Sequence, residues 1–251
     1  MTHTERTLWA LTGKDALTFL QGLVSNDLRP LETGPGIVWA ALLSPQGKYL
    51  ADFFVVRLPD GPILIDIASL LAADTLRRLT LYRLRADVQI QPASLTVSRG
   101  LGTPPEGALP DPRHPALGWR LYGTIAVPEA PVDWDEIRVQ HVIPESGVEL
   151  VPDDTYILEA GFERLQGVDF RKGCYVGQEV TARMKHKTEL RKGLVRVAVE
   201  GTAPVGTEIL ADGKPAGTLF TQSGGKAIAY LRFDRAGQVL QAGSARVQLD
   251  D

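Results

Sequence analysis

Apolar positions along this chain follow two rhythms, and the mixture changes at about residue 190. In residues 13–23, Ala16, Phe19, Leu20 and Leu23 fall at i, i+3, i+4 and i+7, one face of an amphipathic helix. The turn formers of SNDL stop it. Residues 37–43 (IVWAALL) and 49–58 (YLADFFVVRL) predict two strands, with hairpin turn chemistry in the intervening SPQGK. A turn, PDGP, leads to a short buried strand, ILIDI. Residues 69–84 form the longest helical pattern, with Leu70, Ala73, Leu76, Leu79 and Leu84 near one side and Arg77, Arg78 and Arg83 outside. DVQIQ and LTVSR close the unit as strands. Residues 100–118 are dense in Gly and Pro and predict a long loop or linker. Short strands follow around residues 121–127, then a helix beginning at Asp133, a loop, and a helix over TYILEAGFERL with Thr155 as its N-cap. After Lys192 only short apolar runs remain, separated by Gly and Pro turns, the pattern of a small antiparallel barrel or sandwich. The order predicts an α+β body over residues 1–190 and an all-β unit over 191–251.

Composition narrows the classes. At 251 residues with 44% hydrophobic content, the chain can bury the core of one large or two modest domains. No run of about 18 apolar residues is present, so no membrane partner is expected. The opening residues carry neither a secretory nor a transit pattern, and one cysteine makes no internal disulfide. Together these lead to the expectation of a cytoplasmic protein. The net charge of −3 gives no global attraction to nucleic acid, but residues 171–192 hold seven basic residues against two acidic ones, a local +5. That stretch surrounds the single cysteine.

Cys174 follows Arg171, Lys172 and Gly173 and precedes QEVTARMKH, which predicts a short helix with Glu179 and Arg183 at i, i+4. Two readings are open. Helix N–H groups and neighbouring cations would favour a thiolate, or the residue is a small buried hydrophobe. The histidines His3, His114, His141 and His186 show no metal-ligand spacing, and one cysteine cannot hold an iron–sulfur cluster alone.

The segment KGCYVGQE, Lys172 to Glu179, resembles the signature of the YgfZ family of folate-binding proteins, relatives of the glycine-cleavage T-protein, an aminomethyltransferase. LTGKDALTFLQGLVSNDLRPL and LLSPQGKYLADFFVVR are similar to further motifs of that family. The resemblance implies a ferredoxin-like folate-binding α+β body followed by a C-terminal β-barrel, with the middle subdomain around residues 92–132 shortened. It implies tetrahydrofolate or a one-carbon derivative as cofactor and, as partners, iron–sulfur client enzymes, tRNA-modifying ones among them. No direct contact with nucleic acid is expected.

Carried onto this sequence, the resemblance makes Cys174 a reactive thiol with Lys172 beside it. Trp134 becomes a folate contact, and Tyr175, Gln178, Glu179 and Arg183 belong to the signature helix and its approach. Asn26 and Asp27, after the first helix, are further binding candidates, and Trp9 and Arg6 rank below them. A pterin calls for an aromatic wall and a few hydrogen-bonding groups. The local +5 would attract a folate polyglutamate tail. The enzymatic alternative is a tetrahydrofolate-dependent aminomethyl or other one-carbon transferase. T-proteins carry two adjacent acids in the hairpin strand where this chain has Ala51 and Asp52, which counts against it. An RNA-binding module using the basic stretch comes last, because Tyr175 alone offers an aromatic for stacking there.

Overall fold

The computed structural model describes residues 5–59, 61–127, 131–187, 189–237 and 239–250. The first apolar run forms strand β1 (Arg6–Thr12), and the amphipathic stretch contracts to a short helix, α1 (Ala16–Gln21), that buries Ala16 and Leu20. Its start is pushed inward by Gly13, whose φ is +103° and where a Cβ would lie 2.1 Å from the Asp87 carbonyl oxygen. The expected hairpin follows: β2 (Gly36–Leu43) pairs antiparallel with β3 (Tyr49–Arg57). Next come β4 (Ile63–Ala68), helix α2 (Ser69–Tyr82) and β5 (Gln89–Pro92). β3 and β4 are almost wholly buried, which explains why the buried stretch of each is apolar apart from one aspartate, Asp52 and Asp66.

These strands form one antiparallel sheet in the order β2-β3-β4-β1-β5. Without β2, the order is that of a ferredoxin-like unit made of two interleaved split β-α-β halves, and β2 extends one edge. The expected α+β class and ferredoxin-like body are therefore present. A second, three-stranded sheet joins β6 (Thr96–Gly100), β7 (Leu109–Pro110) and β8 (Trp119–Gly123) in the order β6-β8-β7. Helix α3 (Trp134–His141) starts where the pattern placed it, with the Asp133 carboxylate accepting the Glu136 N–H at 3.0 Å.

One expected helix is absent. Residues 155–165 form a succession of turns. Gly161 takes φ +80° and Gln166 φ +56°, and Phe162 and Gly167 donate five residues back, to Ile157 and Phe162. Thr155 caps no helix, and its hydroxyl accepts the Val151 N–H at 2.9 Å. The apolar spacing that suggested a helix instead buries Ile157, Phe162 and Leu165 under β2, where Phe162 stacks on Trp39 with ring centroids 4.1 Å apart.

After helix α4 (Gln178–Lys187), six strands close a barrel: β9 (Lys192–Glu200), β10 (Thr207–Ala211), β11 (Lys214–Ser223), β12 (Lys226–Arg232), β13 (Leu240–Ala242) and β14 (Ala245–Leu249). Closure leaves no open strand edge. The barrel has its own core and meets the body through a buried polar joint. Glu149 accepts from Arg138 Nη2 at 2.5 Å and from the Thr221 hydroxyl of β11 at 2.5 Å, and Tyr230 donates to Glu159 at 2.5 Å.

The two sheets of the body are joined by Asp66 of β4. Arg6 Nε donates to it at 2.6 Å, Arg120 Nη2 at 2.6 Å and the Tyr122 hydroxyl at 2.8 Å. Burial opposes ionisation of Asp66, but the two guanidiniums outweigh it and hold the carboxyl at about 2. Replacing Asp66 with Asn should cost about 3 kcal/mol in chemical denaturation, since it removes the nearest counter-charge of the buried Arg120 and of the half-buried Arg6. The folded value lies below the unfolded one, so the stabilisation from Asp66 is present above about pH 4. It is lost as pH falls towards 2, and the variant's stability curve should be flatter across that window.

Candidate functional site

Between the two sheets lies a cavity of about 450 Å³, lined by Arg6, Leu8, Phe54, Arg99, Arg113, Arg120 and Glu145, among others. It falls in the size range of small-molecule sites. Its floor is the Phe54 ring, with the guanidinium carbons of Arg120, Arg113 and Arg6 at 4.1, 5.0 and 5.6 Å from the centroid. Arg113 is held by Asp111, whose carboxylate accepts from Nη2 at 2.9 Å and Nε at 3.0 Å. In the β6–β8 ladder Arg99 stands directly opposite Arg120. Like charges placed opposite each other cost stability, and the cavity wall keeps that pair.

Trp134 is one layer behind this wall. Arg99 lies over its ring at 4.1 Å, and Trp134 packs on the body core. Arg6, ranked low from sequence, is in the lining, while Trp9 is 4% exposed and belongs to the core. Asp52 is closed off: it accepts from Trp39 Nε1 at 2.8 Å, the Tyr49 hydroxyl at 2.6 Å and the Ser146 hydroxyl at 2.7 Å.

The cysteine occupies a different place. The loop over residues 169–177 packs against the end of α1 and the turn after it. Lys172 is buried, and its ammonium donates to the Gln21 carbonyl at 2.5 Å and stands 4.8 Å from the centre of the Tyr175 ring. Burial lowers Lys172 to about 8, against the opposing pull of Asp27 and Asp169. Gln21 also donates to Asp27 at 2.9 Å, and Arg29 chelates the same carboxylate, holding Asp27 at about 2. Asn26 ties this turn to the body through the carbonyls of Trp39 and Gln166, at 2.8 and 2.7 Å. Gln178, the first residue of α4, accepts the Tyr175 N–H at 3.1 Å. Cys174 stands exposed between these anchored neighbours, which excludes the buried-hydrophobe reading.

Two glycines explain how the loop is seated. At Gly177 (φ +83°) a Cβ would lie 2.5 Å from the Ser44 carbonyl oxygen and 3.2 Å from Gly47 Cα. At Gly47 (φ +75°) it would lie 2.8 Å from Val180 Cβ. The signature loop and the SPQGK hairpin therefore touch backbone to backbone, and each motif needs its glycine for that contact. Gly173 has open space around its missing Cβ and only a positive φ, +98°.

The structure thus brings Lys172, Cys174, Tyr175 and Gln178 together with Asn26 and Asp27, and leaves all of them out of the cavity lining that backs onto Trp134. Glu179 and Arg183 are exposed on α4, and among the described residues they form no ion pair with each other. None of the basic residues 171–192 lines the central cavity. Sequence reasoning missed Arg99, Arg113, Arg120, Phe54 and Glu145. The available hint was an arginine inside each of two short apolar strands, and its meaning depends on their pairing. Among the described residues no group of three or more His, Cys, Asp or Glu could hold a metal ion, and His3 lies outside them.

Comparison with known proteins adds to this geometry. Residues 191–251 match the family model "CAF17, C-terminal beta-barrel domain". The chain is similar to the mitochondrial iron–sulfur cluster assembly factor IBA57 of Mus musculus, 30% identical over 90% of this chain and 75% of that protein. The Homo sapiens protein gives the same identity and coverage. A homologue from Mycosarcoma maydis is 33% identical over 77% of this chain, which spans 56% of that longer protein. In fold, the chain is similar to the crystal structure of the glycine cleavage system aminomethyltransferase T from Bartonella henselae, with TM-score 0.73 and 12% identity, covering 97% of this chain and 82% of that one. The expected cytoplasmic location is overturned, because these relatives are mitochondrial proteins. A lone thiol excludes an internal disulfide and does not choose among reducing compartments.

The glycine geometry is open to test by thermal or chemical denaturation. Gly177→Ala should lose about 2 kcal/mol or more, because strain and a backbone clash combine. Gly173→Ala should lose only about 1–2 kcal/mol, from its positive φ alone.

Proposed function

The chain belongs to the IBA57 family of iron–sulfur cluster assembly factors, and from that membership we propose that it supports the assembly of iron–sulfur proteins through the exposed thiol of Cys174. The observation that carries this reading is the setting of that thiol. Lys172 and Tyr175 are buried on either side, Gly177 locks the loop to a hairpin, and Cys174 is exposed between them. A rigidly presented thiol can meet a group carried by another protein, and the cluster is the cargo of that encounter. With no second thiol in the chain, the remaining ligands come from the partner. The clients on this reading are iron–sulfur enzymes, tRNA-modifying ones among them, as the resemblance of KGCYVGQE implies.

The central cavity is the proposed folate site. Its residues suit tetrahydrofolate or a one-carbon derivative: the guanidinium planes over Phe54 can stack on a flat heterocycle, the Glu145 carboxylate can accept N–H groups, and the arginines complement carboxylates. The one-carbon unit, when bound, would supply the group chemistry, while this chain's residues bind and orient. The transferase reading gains nothing from Asp52, whose carboxylate is committed to three internal donors.

Two measurements test the two halves separately. Titration with tetrahydrofolate should quench tryptophan fluorescence, and Trp134→Ala should weaken binding by about 1–3 kcal/mol by removing the ring that supports Arg99. Unchanged affinity would take Trp134 and the adjoining wall out of the site. Cys174→Ser should remain folded and bind folate as before, yet fail to restore iron–sulfur enzyme activity in cells lacking the protein, because a hydroxyl has neither the nucleophilicity nor the softness of a thiolate. Full complementation by that variant would end the proposed role of the thiol.

A further inference from the structure

Helix α2 ends in a feature that neither the cavity nor the thiol loop uses. Residues 75–86 contain four arginines, Arg77, Arg78, Arg83 and Arg85, and no acid. Asp74, one turn earlier, binds Arg77 and Arg78, and the exposed Asp87 follows Arg85 by two residues, so residues 74–87 carry a net +2. Between the arginines, Leu81 is 71% exposed, Tyr82 36% and Leu84 89%, the last being the most exposed large apolar side chain among the described residues.

The backbone there holds the tip in place. Arg83 closes the helix, its N–H bonded to the Leu79 carbonyl at 3.0 Å, and Leu84 then takes φ +44°. Helices usually stop in this left-handed conformation with glycine or asparagine, because a larger side chain is strained in it. Here a leucine occupies the position and points into solvent. The turn is braced by Arg83 Nη1 on the Val88 carbonyl at 3.2 Å, Ala86 N–H on the Arg83 carbonyl at 2.8 Å, and Asp87 N–H on the Asp15 carboxylate at 2.8 Å.

We propose that this tip, Leu81, Tyr82 and Leu84 ringed by arginines, is a contact for an anionic lipid surface. The charge is complementary to phosphate headgroups, the arginine stems can lie along the interface with their guanidiniums at phosphate depth, and the two leucines enter the acyl boundary. Tyrosine suits the same boundary, apolar in body and polar at its tip. The exposures favour lipid over a peptide groove, since a leucine 89% exposed has no walls around it. Among the described residues no helix is long and apolar enough to cross a membrane, and a surface contact requires no crossing. The expectation of no membrane partner rested on the lack of a span alone. The contact shares no residue with the cavity lining or the Cys174 loop.

The test is co-sedimentation of the full chain with vesicles. Vesicles of phosphatidylcholine containing phosphatidylserine should retain the protein at low salt and release it at high salt, while pure phosphatidylcholine should not retain it. Arg85→Gln should lower partitioning about fivefold. Leu84→Asn should lower it about tenfold or more while the melting temperature holds or rises, because asparagine accepts the left-handed backbone. Equal partitioning of Leu84→Asn, or no retention by phosphatidylserine vesicles, overturns the proposal. Binding to an immobilised polyglutamate peptide without binding to vesicles overturns it too and assigns the tip to an acidic protein.

Discussion

A carboxylate sealed from water, Asp66, is what the body of this protein is organised around. Arg6 reaches it along the five-stranded sheet and Arg120 reaches it from the three-stranded one, so a single anion fixes the distance between the two layers. That spacing creates the cavity, whose floor is Phe54 and whose rim is arginine. Four guanidiniums cannot line so small a space without compensation. Asp66 and Asp111 supply two negative charges inside the wall, and Glu5 and Glu145 add two more in the lining. A buried ion pair of this kind adds little net stability over apolar packing, but losing one member is costly. Its value here lies in geometry, because it sets the chemistry of the space that a ligand would occupy.

The thiol loop depends on a different constraint, the close approach of two backbones at Gly47 and Gly177. That contact leaves no freedom for the segment after Cys174. The segment before it is anchored by Lys172, whose amine is drawn into the protein to reach the end of α1. Arg171 is exposed, and the Lys172 ammonium, though bonded to the Gln21 carbonyl, still feels the charge of Cys174.

The barrel is joined to the body through polar side chains as much as through apolar packing. Arg138 of α3, Glu149 and Thr221 form one chain of hydrogen bonds across the joint, and Tyr230 with Glu159 forms another. Groups that are hydrogen-bonded and buried in this way specify a single docking geometry, because any slippage would strand them without partners.

Most of the fold was legible along the chain. The β2–β3 hairpin, the extent of α2, the α3 cap at Asp133 and the run of barrel strands follow from local periodicity and turn chemistry, which act over a few residues. The face of α2 does not, because Leu71, Ala72, Thr75 and Leu79 are buried while Leu70, Ala73 and Leu84 are exposed. The helix expected over residues 155–165 failed because spacing alone cannot tell a helical face from a series of turns that bury the same side chains. Gly161 is the residue that decided it. The signature around Cys174 stood out because its residues are contiguous. The cavity did not, because Arg6, Arg99, Arg113 and Arg120 come from four separate segments and become neighbours only when β1 pairs with β4 and β6 with β8. The sequence by itself therefore determined the local elements and the exposed thiol's company. Only the tertiary structure decided that thiol and cavity are separate sites, because strand register, which no local pattern encodes, chooses which distant side chains share a space.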